Sequence, residues 1–261
     1  MEKVGGEAWL KSQPLLNKKL NSIKKSKTGL LHPNLLEAAV KATYALGTAE
    51  KKSGNTDKAI KLFGEVVQLE PDSWQAHLKL SLLCAIKQNL SEVIKYLILA
   101  QELGESVTTI HLKKFLKKDE WLSIFNLIKC FEDKDNLPQD YHLGLAIASI
   151  YSGEANPFLE LASPKPEKFA AYIEKETTRP DLAYQVLGIA QHENMEYENA
   201  AASFAKSLEY NPLCTRSYFL RSNAYRMVSE FEEAESDCTL ALAFCPDSIG
   251  ALISAGLLQY E

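Results

Sequence analysis

The chain has 261 residues, of which 46% are hydrophobic, and a formal net charge of −5. These values are typical of a folded protein with a sizeable core and do not indicate binding to nucleic acid or to a membrane surface. No run approaches the roughly 20 apolar residues that a membrane-spanning helix needs, and the first residues lack the apolar core of a signal peptide.

Residues 1–33 form a basic segment, in which seven lysines stand against two glutamates. Leu16, Leu20 and Ile23 recur near helical spacing, which predicts a short amphipathic helix that caps the rest of the chain. A lysine cluster at 24–27 leaves open a second interpretation, a localisation signal or a contact with an acidic surface.

Residues 34–155 begin with a clear pattern for two antiparallel helices joined by a turn, from Val40 to Ser73. Small Gly47 is placed for close approach of two helices, and Gly54 for the turn between them. The pattern continues in residues 74–107, where Ser81 stands 34 residues after Gly47. Beyond residue 108 the register weakens, although apolar residues around Trp121 predict one helix and residues 142–152 look like the first helix of a further pair.

Four prolines interrupt residues 156–180, which predicts a joint between an N-terminal array (34–155) and a C-terminal array (181–261). One helix, residues 167–177, is predicted inside the joint.

The C-terminal array has the most regular pattern, since Gly188, Ser222 and Gly256 are spaced 34 and 34 residues apart. The sequence then stops after a single predicted helix. Either this helix caps the array or the sequence continues in a longer protein. The stretch ALISAGLLQY is apolar on most sides, whereas a terminal cap usually presents a polar face.

Residues 181–214 carry an aromatic residue, Leu-Gly, Ala, Phe and Pro at repeat positions 4, 7, 8, 20, 24 and 32, and this pattern resembles the tetratricopeptide-repeat family. The resemblance covers residues 40–107 and 181–261 specifically, and 108–180 loosely. It implies an all-α, right-handed superhelix of six to seven helical hairpins in two arrays. It also implies a protein-interaction scaffold or adaptor without catalytic activity.

In that family the first helix of each repeat lines a concave groove. Carried over by position, the groove residues of the C-terminal array that we expect to bind a partner are Val186, Ile189, Arg216, Phe219, Leu220, Asn223, Arg226 and Ile253. Their apolar surface, edged by arginine, suits an apolar helix or peptide from a larger intracellular assembly. The alternative is that the terminal helix of the chain fills this groove itself.

The repeats also look similar to those of Hsp70/Hsp90 co-chaperones, which bind a C-terminal carboxylate through Lys, Asn and Arg. The matching places here hold Gln185, Ile189, Leu220, Gly250 and Ser254, so the carboxylate clamp is absent. The second hypothesis is therefore a co-chaperone or assembly factor that uses the groove without a clamp.

The sequence has none of the common phosphate-binding, nucleophile or zinc-protease motifs, its five histidines are scattered, and its five cysteines form no CxxC pair. We therefore expect no enzyme activity, cofactor or metal. Nucleic-acid-reading repeats need a basic groove, which this pattern does not predict. Unpaired cysteines favour reduced thiols and an intracellular location, cytoplasmic or nuclear.

Overall fold

The computed structural model describes residues 33–104, 109–131, 137–162 and 166–259, and this part of the chain contains helices and no strand. The basic segment 1–33, predicted as a cap helix, lies outside the described residues except for its last residue. The helices are α1 (Pro33–Lys52), α2 (Thr56–Leu69), α3 (Trp74–Ile86), α4 (Leu90–Leu103), α5 (Thr109–Phe115), α6 (Lys118–Lys129), α7 (Tyr141–Ser152), α8 (Pro157–Ala162), α9 (Pro166–Glu176), α10 (Pro180–Glu193), α11 (Tyr197–Tyr210), α12 (Thr215–Met227), α13 (Phe231–Phe244) and α14 (Ile249–Leu258).

The helices pack as consecutive hairpins. Helix α1 packs on α2, α3 on α4, α10 on α11 and α12 on α13, and each hairpin also contacts the next along the chain. A single hairpin has two apolar faces and can bury only one of them, so stacking on neighbours completes the core. The predicted all-α solenoid of stacked hairpins is confirmed.

Glycine at repeat position 8 allows the two helices of a hairpin to approach closely. A Cβ atom at Gly47 would lie 3.1 Å from the Phe63 ring, and one at Gly188 would lie 2.7 Å from the Phe204 ring. Both phenylalanines are fully buried. The phenylalanine of the second helix therefore occupies the space that a side chain at position 8 would need.

Two other hairpins have serine at position 8. The Ser81 hydroxyl donates a hydrogen bond to the Val93 carbonyl at 3.1 Å, and the Ser222 hydroxyl donates one to the Ala234 carbonyl at 2.7 Å. Both serines are buried. A side chain–backbone hydrogen bond thus joins the two helices where the glycine–phenylalanine contact is missing.

The predicted helix around Trp121 is α6, and it pairs with α7. Trp121 is fully buried and its ring stacks on that of Tyr151 at 4.7 Å. Helix α7 also packs on α4, where a Cβ at Gly144 would lie 3.0 Å from Ile94. The interpretation of residues 142–152 as the first helix of a pair was wrong, because α7 is the second helix of the α6–α7 pair.

The proline-rich segment 156–180 contains α8 and the predicted helix, seen as α9. Their aromatic residues Phe158, Phe169 and Tyr172 belong to one hydrophobic cluster that extends from Leu78 to Ala224. The core therefore runs through this segment. The division of the chain into two arrays on either side of it stays a prediction.

Asp140 anchors the end of this segment. It has a left-handed backbone conformation, with φ of 58°, and its carboxylate accepts hydrogen bonds from the Thr177 hydroxyl and from the hydroxyl and backbone N–H of Thr178. These three bonds hold the loop before α10 against the start of α7. Because Asp140 is 37 and 38 residues from Thr177 and Thr178, the local sequence gives no signal for this role.

Candidate interaction surface

Half of the eight predicted partner-binding residues are buried. The exposed fraction is 0% for Val186 and Arg216, 1% for Phe219 and 3% for Ile189. These four side chains have no surface to offer a partner in this structure. The prediction that they line an accessible groove needs correction on this point.

The groove is closed at Arg216 by the end of α4. The Arg216 guanidinium donates from Nη1 to the carbonyl oxygens of Gln101 at 3.2 Å and Gly104 at 3.3 Å. The Gln101 side chain donates to Gln185 of α10 at 3.4 Å and accepts a hydrogen bond from the Tyr151 hydroxyl. The segment 101–104 of the chain therefore occupies this part of the groove.

This arrangement differs from the alternative prediction, in which the terminal helix of the chain fills the groove. The filling segment at Arg216 comes from the N-terminal half, 112 to 115 residues away in sequence. Helix α14 covers a different groove residue, since a Cβ at Gly250 would stand 2.4 Å from the Phe219 ring. Phe219 is thus buried by α14, and Arg216 by α4.

An ion-pair cluster lies beside this contact. Arg179 pairs with Asp181 at 3.0 Å and with Glu102 of α4. Burial acts to lower the pKa of Arg179, but hydrogen bonds from its guanidinium to Asp181 and Glu102 raise the pKa above its ordinary value. The cluster fixes the last turn of α4 to the start of α10.

The other four predicted residues keep accessible surface. Leu220, Asn223 and Arg226 of α12 are half-buried, and Ile253 of α14 is 46% exposed. The Ser254 hydroxyl donates to the Asn223 side chain at 3.2 Å, which joins the accessible faces of α12 and α14. This hydrogen bond places Asn223 next to α14 at the C-terminal end of the described helices.

Arg226 affects a neighbouring histidine. Burial lowers the pKa of His192, and the positive charge of Arg226 lowers it further. The imidazole of His192 is therefore neutral at physiological pH.

Helix α14 exposes more apolar surface than the eight predicted binding residues indicated. Besides Ile253, the exposed side chains of this helix are Ile249 at 43%, Leu252 at 51% and Leu257 at 40%. Its sequence carries no charged residue between 249 and 258. The unbroken apolar character of this stretch was the available signal, since an exposed helix normally has a polar face.

Other kinds of site are not formed by the described residues. No group of three or more His, Cys, Asp or Glu side chains in this part of the chain could hold a metal ion. None of its helices is both long and apolar enough to cross a membrane. None of the cysteines at 84, 130, 214, 238 and 245 forms a disulfide bond in the described part of the chain, and Cys130 is exposed.

Comparison with solved structures gives likenesses of low identity. The crystal structure of YrrB, described as a TPR protein with an unusual peptide-binding site, is 13% identical, with 82% of this chain and 91% of that chain covered and a TM-score of 0.40. The TPR2AB domain of yeast Sti1 in complex with pHSP90 is 19% identical, with 86% and 84% covered and a TM-score of 0.31. A MamA protein is 16% identical, with 78% and 91% covered and a TM-score of 0.31. At TM-scores this low, none of these likenesses supports a conclusion on partner or site.

The family comparison agrees with the packing. No curated relative matches the sequence. A tetratricopeptide-repeat model matches residues 44–100 and 187–249, which contain the Gly47–Phe63 and Gly188–Phe204 contacts of the two hairpins. These two stretches are therefore tetratricopeptide repeats, and the chain is a helical-repeat protein.

Proposed function

We propose that the protein is a non-catalytic interaction scaffold that binds an apolar helix or peptide of a partner at the concave end formed by Asn223, Arg226, Ile253 and Leu257. The exposed apolar side chains of Ile253 and Leu257, one helical turn apart on α14, are the observation that supports this site. Both side chains already have more than half of their surface buried, so covering the rest against a partner would supply a favourable free energy of about 1 kcal/mol each.

The chemistry of the site favours a particular partner. An amphipathic helix can place its apolar residues over Ile253 and Leu257 and an acidic residue near Arg226. We place this partner in a larger assembly inside the cell, in the cytoplasm or the nucleus, because cysteines without disulfide bonds suit a reducing compartment. Arginine with neighbouring aliphatic residues is a common anchor combination at protein interfaces.

The test is an affinity purification from native cell extract, followed by mass spectrometry. The double variant Ile253→Asp/Leu257→Asp places two charges on the proposed site, and Met195→Asp/Leu213→Asp places two on side chains that are 76% and 68% exposed elsewhere. We expect one partner to fall at least tenfold in the first variant and to be retained in the second. Circular dichroism must show equal helix content in all three proteins.

A charge reversal, Arg226→Glu, extends the same test. If the partner carries an acidic flank, this variant also loses binding of the partner, and the decrease in binding is larger at low salt. Identical partner lists for wild type, both double variants and the reversal would contradict the proposed site.

A further inference from the structure

Arg216 is a fully buried cation that uses only part of its hydrogen-bonding capacity. Its exposed fraction is 0%, and Nη1 donates to the carbonyl oxygens of Gln101 and Gly104. Within the described residues, Nε and Nη2 of Arg216 have no hydrogen-bond partner. A buried N–H group without a partner is unfavourable, and more so on a charged side chain, because it has lost its bonds to solvent. The guanidinium therefore needs an acceptor on the side of Nε and Nη2.

Two other arginines show what this side of a guanidinium binds in the same protein. Arg179 donates from Nε and Nη2 to the two carboxylate oxygens of Asp181, at 3.1 and 3.0 Å. Arg221 donates from the same two nitrogens to Asp237, at 2.7 Å each. Nε and Nη2 lie on one edge of the planar guanidinium, so one acceptor group can bond both. Arg216 has the same edge, but no carboxylate among the described residues bonds it.

A small cavity adjoins Arg216. It has a volume of about 20 Å³, and its lining includes Arg216 of α12, Glu102 of α4, and Asp181 and Gln185 of α10. One water molecule needs about 10–15 Å³ of such space. The cavity is thus large enough for a single water and too small for a polyatomic anion such as phosphate.

The charge of the lining favours water over a monatomic anion such as chloride. Arg179 and Arg216 are positive, and Asp181 and Glu102 are negative, so an anion would lie against two carboxylates in a medium of low dielectric constant. The Tyr151 hydroxyl adds no charge, since burial raises its pKa more than the charge of Arg216 lowers it. A water molecule both accepts and donates, which suits a lining of both signs.

The carboxylates in the lining have acceptor capacity left. An ionised carboxylate can accept about four hydrogen bonds. Arg179 donates one to each oxygen of Asp181 and one to Oε2 of Glu102. A water at the free edge of Arg216 therefore has acceptors in the same cavity, one on α4 and one on α10.

We infer that this cavity binds one ordered water molecule, which accepts hydrogen bonds from Nε and Nη2 of Arg216 and donates to the carboxylates of Asp181 and Glu102. The water connects α4, α10 and α12 at the place where the end of α4 covers the C-terminal groove. It is thus part of the closure of the groove at Arg216. The inference does not depend on the proposed partner site at Ile253 and Leu257.

The direct test is a crystal structure of the whole chain, together with a second crystal soaked in sodium bromide. In both we expect an electron-density peak about 2.7–3.2 Å from Nε and Nη2 of Arg216, without anomalous signal at the bromine absorption edge. An anomalous peak would assign the cavity to a halide ion. Absence of any density would show that the cavity is dry. Either result would overturn the inference.

A measurement in solution counts the same water. Oxygen-17 magnetic relaxation dispersion detects water molecules that stay bound much longer than surface water. Arg216→Met keeps a long side chain but removes the guanidinium donors, and we expect it to lose one long-lived water relative to the wild type. Lys206→Met removes the same charge from an exposed side chain of α11 and should lose none.

Equal numbers of long-lived waters in the wild type and in a folded Arg216→Met variant would contradict the inference. Circular dichroism shows whether this variant keeps its helix content. If it does not fold, the wild-type crystals decide the question alone.

Discussion

Replacing Trp121 by alanine is expected to lower the free energy of unfolding by about 3–5 kcal/mol, the largest effect of any single change considered. Trp121 is fully buried, its ring stacks on Tyr151, and its indole Nε1–H donates to the Lys113 carbonyl at 3.1 Å. It holds α6 against α7 in the region where the repeat pattern is weakest. Urea unfolding followed by circular dichroism measures the change.

The matched control is Trp121→Phe, which keeps an aromatic ring in the core but removes the indole hydrogen bond. We expect this variant to lose about 1–2 kcal/mol, less than half of the alanine effect. If Trp121→Ala unfolds at the wild-type urea concentration, α6 and α7 do not pack as described.

Replacing Gly188 by alanine is expected to lower the free energy of unfolding by about 1–3 kcal/mol, although alanine is the better helix former. The new Cβ would stand 2.7 Å from Phe204 Cε1, and the fully buried ring cannot move into solvent. A second change, Phe204→Leu, should be less costly in the Gly188→Ala background than in the wild type, because it relieves this contact. The four proteins of this double-mutant cycle are compared by urea unfolding.

Gly256→Ala is the control at the same repeat position. Because no described atom lies within 4 Å of its new Cβ, this variant should be as stable as the wild type or more stable by up to about 1 kcal/mol. If the Gly188→Ala variant is as stable as the Gly256→Ala variant, the α10–α11 contact is looser than the structure has it.

The repeated hairpins could be predicted from sequence because their determinants are local. Gly188 and Phe204 are only 16 residues apart, and their 34-residue repetition identifies the hairpin without any distant contact. The pairing of α7 could not be predicted in this way. Its small Gly144 lies against Ile94 of α4, a contact across 50 residues that leaves no periodic signal.

The candidate site could be predicted only in part, for the same reason. Asn223, Arg226 and Ile253 lie on accessible surface, and their binding to a partner stays a prediction. The repeat positions could not indicate that Gln101 and Gly104 cover Arg216. Arg216 is at position 2 of its repeat, and a residue at this position is accessible only where no other part of the chain fills the groove. Burial of a groove residue depends on the path of the whole solenoid, which a 34-residue pattern does not contain.

The central claim is that the groove is closed at Ile189 and Phe219 and accessible at α14. Fast photochemical oxidation with peptide-level mass spectrometry tests it on residues of the same type. Ile189 and Phe219 are 3% and 1% exposed, whereas Ile253 and Phe244 are 46% and 45% exposed. The account predicts at least ~10-fold more labelling at Ile253 than at Ile189, and at Phe244 than at Phe219. Equal labelling within either pair would contradict this prediction and would show that Ile189 or Phe219 is accessible in an open groove.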